Sequence, residues 1–374
     1  MLKVFEFALY NKVYTHFREH LVDCQHGFVS GRSTVTNLFS VTQYISEALD
    51  SKIQCDVIYT DFSKAFDQLD HGVLLGKLRS VGFSENLVLF FNSYLAEREQ
   101  YVSFQGHRST LISATSGVPQ GSVMGPLLFN IFVNDIVCDL DSSVRCLLYA
   151  DDLKLFCRIS NIADCFLLQN NLNVVSDWCY RNRLLLNPVK CQVMSYSLSS
   201  QKIRYDYSID NVILSRPQSI CDLGVIFDPK LSFAEHINAV VAKAFRTLGF
   251  IIRNCRDFSK HNVLLLLYNA YVRSRLEYAS IVWEPCYDIY IGGLEAVQRR
   301  FLKYLTFKKD GYYPEIGYPH SLLLGQHGVE TLQDRRRRML LIFLYKLLNG
   351  DIDCSSILQQ LQFNTPRPSS RHAS

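Results

Sequence analysis

Several common signatures are missing from this sequence, and each absence excludes a class of protein. Twelve cysteines are present, but none forms a Cys-x-x-Cys pair or a metal-ligand spacing with histidine, which excludes a zinc module and favours a reducing compartment. The longest apolar runs, over 263–268 and 339–344, fall far short of the roughly 20 residues that cross a bilayer. Lys3, Glu6 and Lys12 interrupt the N-terminus, so it is not a signal peptide. We therefore expect an intracellular protein without a membrane segment.

An excess of charge of one sign is also missing, because the net charge is only +4 over 374 residues. The apolar content of 48% is enough for a large core and more than one lobe. Basic residues nevertheless cluster in the last third of the chain, where a local basic face would bind phosphates. For the run 335–338, a solvated helix face is an equally good interpretation. The cluster comprises Arg273, Arg275, Arg299, Arg300, Lys303, Lys308, Lys309 and Arg335–Arg338.

Three aspartates stand out among the residues that are present. Asp61 ends the apolar run 57–60, and the pair Asp151-Asp152 lies between two strand-like segments. This pattern predicts a hairpin with the pair at its turn, so that both carboxylates leave one end of a sheet. An isolated Asp-Asp is more often a solvated turn. Three ionised carboxylates together would instead require a cation, and an all-oxygen site suits two Mg²⁺ ions that catalyse phosphoryl transfer.

A glycine-rich loop lies between the two acid segments in the sequence and favours the metal site over a solvated turn. The segment 116–130 reads Ser-Gly-Val-Pro-Gln-Gly-Ser-Val-Met-Gly-Pro-Leu-Leu-Phe-Asn and runs into an apolar helical stretch. Its glycines allow the backbone to approach a ligand closely, and the N-terminus of the following helix offers free N–H groups to a nucleotide.

Taken in order, these segments resemble the motifs of the reverse transcriptases of non-LTR retrotransposons, most closely the jockey-like elements of animals. The resemblance covers the chain from its start to about residue 350. It rests on a fingers motif, a first catalytic motif, a nucleotide-contacting motif, a Tyr-x-Asp-Asp box, a further palm motif and a primer-gripping turn. These are, in that order, the segments 25–34, 59–67, 116–130, 149–152, 186–191 and 223–227.

The resemblance implies a role for each matching residue in a two-metal site. Asp61 and Asp151 would ligate both Mg²⁺ ions, with Mn²⁺ as a substitute, and Asp152 would be the supporting acid. The backbone carbonyl of Phe62 would hold the second ion. Lys190 resembles the palm lysine that protonates the departing pyrophosphate.

The nucleotide and the primer would contact a second set of residues. The ring of Phe66 would lie under the sugar and select dNTPs by excluding a 2′-OH, although a core aromatic is the competing interpretation. Gln120 and Gly121 would pack on the nucleotide, and Arg32 would bind its phosphates. Residues expected to position the primer terminus are Tyr149, Ala150, Leu223 and Gly224.

The implied fold is of the α+β class, a right-hand polymerase palm whose antiparallel sheet is backed by helices. We expect partial helical fingers over 1–55, the palm with inserted fingers elements over 56–230, a helical thumb and extension over 231–363, and a disordered tail over 364–374. Apolar periodicity predicts helices after residue 34 and over 74–95, 165–182, 233–252 and 262–278, with a hairpin over 100–113.

Two functional hypotheses of different class follow. The first is an RNA-directed DNA polymerase that extends a DNA primer on an RNA template with dNTPs, as a ribonucleoprotein in the nucleus or cytoplasm. The second is a non-catalytic nucleic-acid-binding remnant. The second is favoured by the missing segment that family members carry upstream of the fingers motif, which suggests N-terminal truncation, and by the missing endonuclease. The first is favoured by the presence of all three acids.

Overall fold

The protein is described here from a computed structural model that covers residues 2–258 and 260–361. The predicted tail over 364–374 lies outside the described residues. The chain folds into helices that surround one four-stranded sheet, with several two-stranded ribbons at the periphery.

Helices make up about half of the described chain. They are α1 (Leu2–Arg18), α2 (Thr34–Asp50), α3 (Ala65–Gln68), α4 (His71–Ser80), α5 (Glu85–Leu95), α6 (Met124–Val133), α7 (Ile162–Arg181), α8 (Ala234–Asn254), α9 (His261–Tyr268), α10 (Ser274–Glu277), α11 (Ser280–Trp283), α12 (Asp288–Asp310), α13 (His320–His327), α14 (Leu332–Leu348) and α15 (Ser355–Leu358). A 3₁₀ turn, Asn134–Val137, follows α6, and a π-helical segment, Asn269–Arg273, joins α9 to α10.

The strands are short, and only four of them belong to the central sheet. They are β1 (Gln54–Thr60), β2 (Arg98–Gln100), β3 (Ser103–Phe104), β4 (His107–Arg108), β5 (Ile112–Ala114), β6 (Arg145–Tyr149), β7 (Asp152–Ile159), β8 (Gln192–Tyr196), β9 (Ser208–Ile209), β10 (Val212–Ile213), β11 (Ile220–Asp222) and β12 (Val225–Phe227). The central sheet has the order β6-β7-β1-β8 and is antiparallel throughout.

The central sheet is buried on both faces. Since successive side chains of a strand point to opposite sides, each strand contributes residues to two cores. On one face, Ile58 and Leu155 belong to a core that α6 and α7 complete. On the other face, Val57 and Phe156 belong to a second core formed with α2 and the helices from α8 onward. The sheet therefore separates two cores, and its strands have few positions open to solvent except at their ends.

The structure agrees with most of the predicted periodicity and differs in one place. The helix predicted over 74–95 is two helices, because the chain turns at Val81 and Gly82, where the glycine has φ +91. The hairpin predicted over 100–113 is confirmed, although its strands are interrupted: β3 pairs with β4 next to the turn, and β2 pairs with β5 further from it. Within the described residues, no helix is both long enough and apolar enough to span a membrane.

Candidate active site

The three predicted acids lie at one end of the central sheet. Thr60, the last residue of β1, pairs with Leu153 of β7, so that Asp61 leaves the sheet beside the start of β7. Asp152 is the first residue of β7, and Asp151 occupies the turn before it. The predicted hairpin with the acids at its turn is confirmed. We refer to Asp61, Asp151 and Asp152 as the acid edge.

The charges of the acid edge interact with one another. Burial raises the pKa of the Asp151 carboxyl, and the negative charge of Asp61 raises it further. The pKa of Asp152 is raised to about 6, mainly by the loss of contact with solvent and then by the charge of Asp151, while the cation of Lys154 opposes the shift. Because the charge of Asp61 raises the pKa of Asp151, and the charge of Asp151 raises the pKa of Asp152, a cation at this edge would favour the ionised state of both carboxyls.

Lys190 supplies one positive charge at this edge. Its Nζ lies 3.3 Å from Asp61 Oδ2, and its side chain is 66% exposed. The loop that carries Lys190 is attached to the acid by the backbone, because the amide of Asn187 donates to the Asp61 carbonyl at 2.8 Å. Sequence reasoning therefore placed Lys190 correctly beside the acids, and its role as a proton donor stays a prediction.

The fit of a metal at the acid edge is supported by one atom in particular. Asp61 Oδ2 is buried and makes no hydrogen bond among the described residues, and its ion-pair partner, Lys190 Nζ, lies 3.3 Å away on an exposed side chain. An exposed ammonium compensates a buried carboxylate oxygen only weakly, and a bound metal ion would compensate it more fully. The three acids are not arranged as a closed set of metal ligands. Among the described residues, 2–258 and 260–361, no other group of three His, Cys, Asp or Glu side chains has such an arrangement either. Metal ligation by Asp61, Asp151, Asp152 and the Phe62 carbonyl stays a prediction.

The glycine-rich loop packs directly on the segment that follows Asp61. Gly117 has φ +75, and a Cβ at this position would lie 2.6 Å from the carbonyl oxygen of Asp67, so only glycine fits. The Gln120 side-chain amide donates to Asp67 Oδ1 at 3.0 Å. Gly121 has φ +78 with open space around it. The loop therefore presents Gln120 and Gly121 to solvent beside the predicted nucleotide position.

Phe66 lies between this loop and helix α6. Its half-buried ring stacks on Phe129 with centroids 4.3 Å apart and meets Phe28 edge-on at 6.2 Å. The ring is therefore held in one orientation by aromatic neighbours. Phe62 is different, because its side chain is buried in the core and only its backbone is available at the acid edge.

Arg32 is not available for phosphate, and the structure corrects this prediction. Its side chain is only 7% exposed. Its guanidinium donates to Asp353 Oδ2 at 3.2 Å and to the carbonyls of Asp23 and Gln25 at 2.7 and 2.8 Å. A guanidinium whose donors are all engaged inside the protein has none left for a triphosphate, so Arg32 holds the loop over residues 22–25 in place.

The run Arg335–Arg338 is divided between side chains paired within the protein and side chains exposed to solvent. Three of its side chains pair with glutamates of neighbouring elements: Arg335 with Glu277, Arg336 with Glu284, and Arg338 with Glu330. Arg336 is completely buried. Arg335 and Arg336 therefore attach α14 to the rest of the helical region, whereas Arg337 and Arg338 are exposed to solvent.

The tip of the β6–β7 hairpin is braced by a segment near the N-terminus. Gln25 Oε1 accepts from the amides of Gly27 and Ala150 at 2.7 and 3.1 Å. A Cβ on Gly27 would lie 2.2 Å from the Ala150 nitrogen, so the two backbones are in direct contact. Ala150 itself has φ 56, the left-handed conformation that this tight turn requires. The residues predicted to position the primer, Tyr149 and Ala150, are thus rigidly supported.

The predicted primer-gripping turn lies between β11 and β12, with Leu223 at φ 43 and Gly224 at φ +85. The Tyr278 hydroxyl donates to the Leu223 carbonyl at 2.8 Å, and a Cβ on Gly224 would lie 3.3 Å from the Tyr278 ring. Tyr278 also lies close enough to Tyr149 to affect its ionisation. The pKa of the Tyr149 hydroxyl is raised, first by burial and then by the charge of Tyr278. Sequence reasoning missed Tyr278 because nothing in its local sequence distinguishes it from a core tyrosine.

A second group was also missed, the buried polar residues Asn37, Lys154 and Asp222. Lys154 Nζ lies 2.6 Å from Asp222 Oδ2 and 2.5 Å from Asn37 Oδ1. The available signal was a lysine inside the apolar strand Leu153–Ile159, which must find an anion if it is buried.

Comparison with known proteins identifies the family. The reverse transcriptase (RNA-dependent DNA polymerase) family matches residues 1–252, two thirds of the chain. The chain therefore belongs to the reverse transcriptase family, as the motifs predicted. The antiparallel sheet backed by helices is accordingly the palm of a right-hand polymerase, and the predicted α+β fold class is confirmed.

The similar proteins agree with the predicted jockey-like resemblance. The probable RNA-directed DNA polymerase from transposon BS of Drosophila melanogaster is 30% identical over 239 residues, which are 62% of this chain and 26% of that protein. The RNA-directed DNA polymerase from mobile element jockey of the same species is 30% identical over 60% of this chain and 25% of that protein. The probable RNA-directed DNA polymerase from transposon X-element, again of Drosophila melanogaster, is 28% identical over 75% of this chain and 32% of that protein. This chain therefore spans about a quarter to a third of the length of these relatives.

Among solved structures, the similarity is more distant. Apo telomerase from Candida tropicalis is 11% identical with a TM-score of 0.45, over 94% of this chain and 61% of that one. Telomerase from Candida albicans with a fragment of telomeric RNA is 13% identical with a TM-score of 0.39, over 97% and 58%. The family assignment does not depend on either.

Proposed function

We propose that the chain is an RNA-directed DNA polymerase that extends a DNA primer with dNTPs on an RNA template. The observation that carries the proposal is the convergence of Asp61, Asp151 and Asp152 at one end of the palm sheet of a reverse-transcriptase-family chain. Polymerisation requires a site where negative phosphates and negative carboxylates meet through cations, and the raised pKa values of Asp151 and Asp152 are the electrostatic sign of such a site.

Two Mg²⁺ ions, for which Mn²⁺ can substitute, would be held by the acid edge and by the carbonyl of Phe62. When bound, the ions would lower the pKa of the primer hydroxyl and stabilise the charge that develops on the transferred phosphate. The Asp61 carboxylate supports this assignment because its buried Oδ2 makes no hydrogen bond among the described residues, and its ion-pair partner, Lys190 Nζ at 3.3 Å, lies on an exposed side chain that a metal ion would displace.

In the proposed reaction, the primer 3′-oxygen bonds to the α-phosphorus and the bridging oxygen between the α- and β-phosphorus atoms leaves with pyrophosphate. The hydroxyl proton goes to solvent. Lys190 donates a proton to the departing pyrophosphate, and its exposed ammonium beside Asp61 supports this role. Gln120 and Gly121 orient the nucleotide, and the fixed ring of Phe66 excludes a 2′-OH.

The first experiment is primer extension on poly(rA)/oligo(dT) with purified protein, labelled dTTP and Mg²⁺. We expect incorporation by the wild type and a loss of at least about a thousandfold in Asp151→Asn, because the substituted amide cannot hold a cation as a carboxylate does. Asp177→Asn, on the exposed side of α7, is the matched control and should retain full activity. A wild type that incorporates no more than Asp151→Asn, but still retains RNA on a filter, would establish the non-catalytic remnant instead.

The second experiment concerns sugar selection. In Phe66→Val, we expect incorporation of UTP relative to dTTP to rise by roughly 10–100-fold, because the smaller side chain no longer fills the space beneath the sugar. Since Phe66 also stacks on Phe129, the melting temperature of the variant must be measured alongside. Phe104→Val on the exposed β3–β4 ribbon is the control. Unchanged discrimination in a folded Phe66→Val protein would remove this role from the ring.

A further inference from the structure

The Lys154–Asp222 pair connects two parts of the polymerase site that are far apart in sequence. Lys154 lies two residues after Asp152 on β7, and Asp222 immediately precedes the predicted primer-gripping turn at Leu223. The two charged atoms are 2.6 Å apart, and the side chains are 1% and 3% exposed. The strand with the catalytic acids and the turn expected to hold the primer are therefore joined by one buried ion pair.

A third element joins the same pair. Asn37 of helix α2 is fully buried, and its Oδ1 accepts from Lys154 Nζ at 2.5 Å. Its Nδ2 donates to the carbonyl of Leu148 at 3.0 Å, one residue before the hairpin tip. Both polar groups of the Asn37 side chain thus contact the catalytic hairpin: Nδ2 binds the main chain of the hairpin at Leu148, and Oδ1 binds the side chain of Lys154.

The chemistry of the pair favours a positioning role over a stabilising one. Removing two charges from water costs about as much as their attraction returns, and apolar side chains of the same volume often serve stability equally well or better. What the ion pair adds is geometry, since a carboxylate and an ammonium at 2.6 Å permit little relative movement. A charged residue is unusual at this position of β7, because the neighbours Leu153, Leu155 and Phe156 are apolar core residues.

We propose that Lys154, Asp222 and Asn37 are positioning residues that hold the catalytic hairpin, the primer-gripping turn and helix α2 at a fixed mutual distance. The proposal rests on the proposed polymerase function. Asp151 and Asp152 act on a primer 3′-oxygen that Leu223 and Gly224 would place, so the reacting atoms are aligned only when the two elements keep their spacing. A displacement of about 1 Å in such a site is enough to lower the rate by about a hundredfold.

The test replaces the ion pair without leaving a charge unpaired. In the double variant Lys154→Met/Asp222→Leu, we expect an unchanged melting temperature, a single-turnover rate of dTTP incorporation lowered by about a hundredfold, and an unchanged primer–template dissociation constant. The matched control is Arg336→Met/Glu284→Leu, which removes a buried arginine pair of the C-terminal helices and should leave the rate unchanged. A purely structural pair would give a folded double variant with the wild-type rate.

Amide hydrogen exchange decides the inference independently of catalysis. In the double variant, peptides covering 145–153 and 220–227 should exchange at least about tenfold faster than in the wild type, while the control variant leaves them protected. Wild-type exchange and a wild-type rate together would overturn the proposal. If the wild type does not polymerise, the proposed function fails, and the exchange comparison alone supports or overturns the spacing role.

A milder variant covers the case in which the double variant does not fold. Asn37→Ser keeps both charges and removes the two side-chain hydrogen bonds of Asn37, to Lys154 and to the Leu148 carbonyl, so we expect a folded protein whose incorporation rate falls by roughly tenfold and whose hairpin peptide 145–153 exchanges faster. A folded Asn37→Ser protein that matches the wild type in both measurements would contradict the proposal.

Discussion

Two lysine–carboxylate pairs of the palm, Lys154–Asp222 and Lys190–Asp61, have the same chemistry and opposite surroundings. Lys154 and Asp222 are 2.6 Å apart with side chains 1% and 3% exposed. Lys190 and Asp61 are 3.3 Å apart with side chains 66% and 40% exposed. The first pair lies inside the core formed by α2 and the later helices, and the second lies at the end of the sheet, open to solvent.

The difference shows how burial decides what an ion pair can do. A buried pair cannot exchange its partner for water or for a ligand without a large electrostatic cost, so it holds one geometry. An exposed pair is weak and easily separated, because water competes for both charges. Asp61 can therefore leave Lys190 for a cation, and Lys190 can turn to a phosphate, whereas Lys154 is committed to Asp222.

The largest expected effect tests the buried pair. Lys154→Ala leaves the Asp222 carboxylate buried without a cation, so we expect a loss of about 3–5 kcal/mol in the free energy of unfolding, measured by urea denaturation. The matched substitution Lys190→Ala should cost less than about 1 kcal/mol, since that pair is exposed. Equal losses in the two variants would abolish the distinction between the pairs.

A smaller effect tests the exposed pair in catalysis. Lys190→Met should lower the single-turnover incorporation rate by about a hundredfold at unchanged thermal stability, because the leaving pyrophosphate loses its proton donor. Lys190→Arg keeps the charge but releases a proton less readily, and should recover only part of the rate. Full activity in Lys190→Met would reduce this lysine to a surface cation.

The smallest effect is a dependence on pH and metal at the acid edge. The pKa of Asp152 is raised in the folded protein from 3.8 to about 6, so the folded state binds more protons than the unfolded state between these values. Its contribution to stability is therefore most favourable below pH 4 and is lost as the pH rises through 6. Mg²⁺ should reverse that loss, raising the melting temperature by a few degrees at pH 7.5 and by less at pH 5.

Thermal melting with Mg²⁺ and with EDTA at the two pH values measures this difference. In Asp152→Asn, the dependence on pH should shrink, since the titrating group is gone. A Mg²⁺ shift in the wild type that is the same at pH 5 and 7.5 would show that the acid edge does not bind the ion.

Local patterns were sufficient to predict the elements that carry the acids. The hairpin with Asp151 and Asp152, helix α7 and helix α8 follow from alternation and apolar periodicity, which are properties of neighbouring residues. The convergence of Asp61 with the pair followed from the family resemblance, because pairing between β1 and β7 joins segments about 90 residues apart.

Ion pairing between distant residues could not be predicted. Arg32 was expected to bind phosphate, but its partner Asp353 lies 321 residues away along the chain. The arginines of α14 similarly find glutamates about 50 residues upstream, such as Glu277 and Glu284. Nothing in the local sequence distinguishes a solvated arginine from one that a distant carboxylate removes from water.

The Arg32–Asp353 contact has a consequence for synthesis of the chain. At a ribosomal rate of roughly 5–20 residues per second, Asp353 follows Arg32 after something between a quarter of a minute and a minute. During that interval the guanidinium lacks its final carboxylate, and the loop that braces the catalytic hairpin is incomplete. The contacts of Arg32 are therefore completed only when residue 353, 321 residues further along the chain, has emerged from the ribosome.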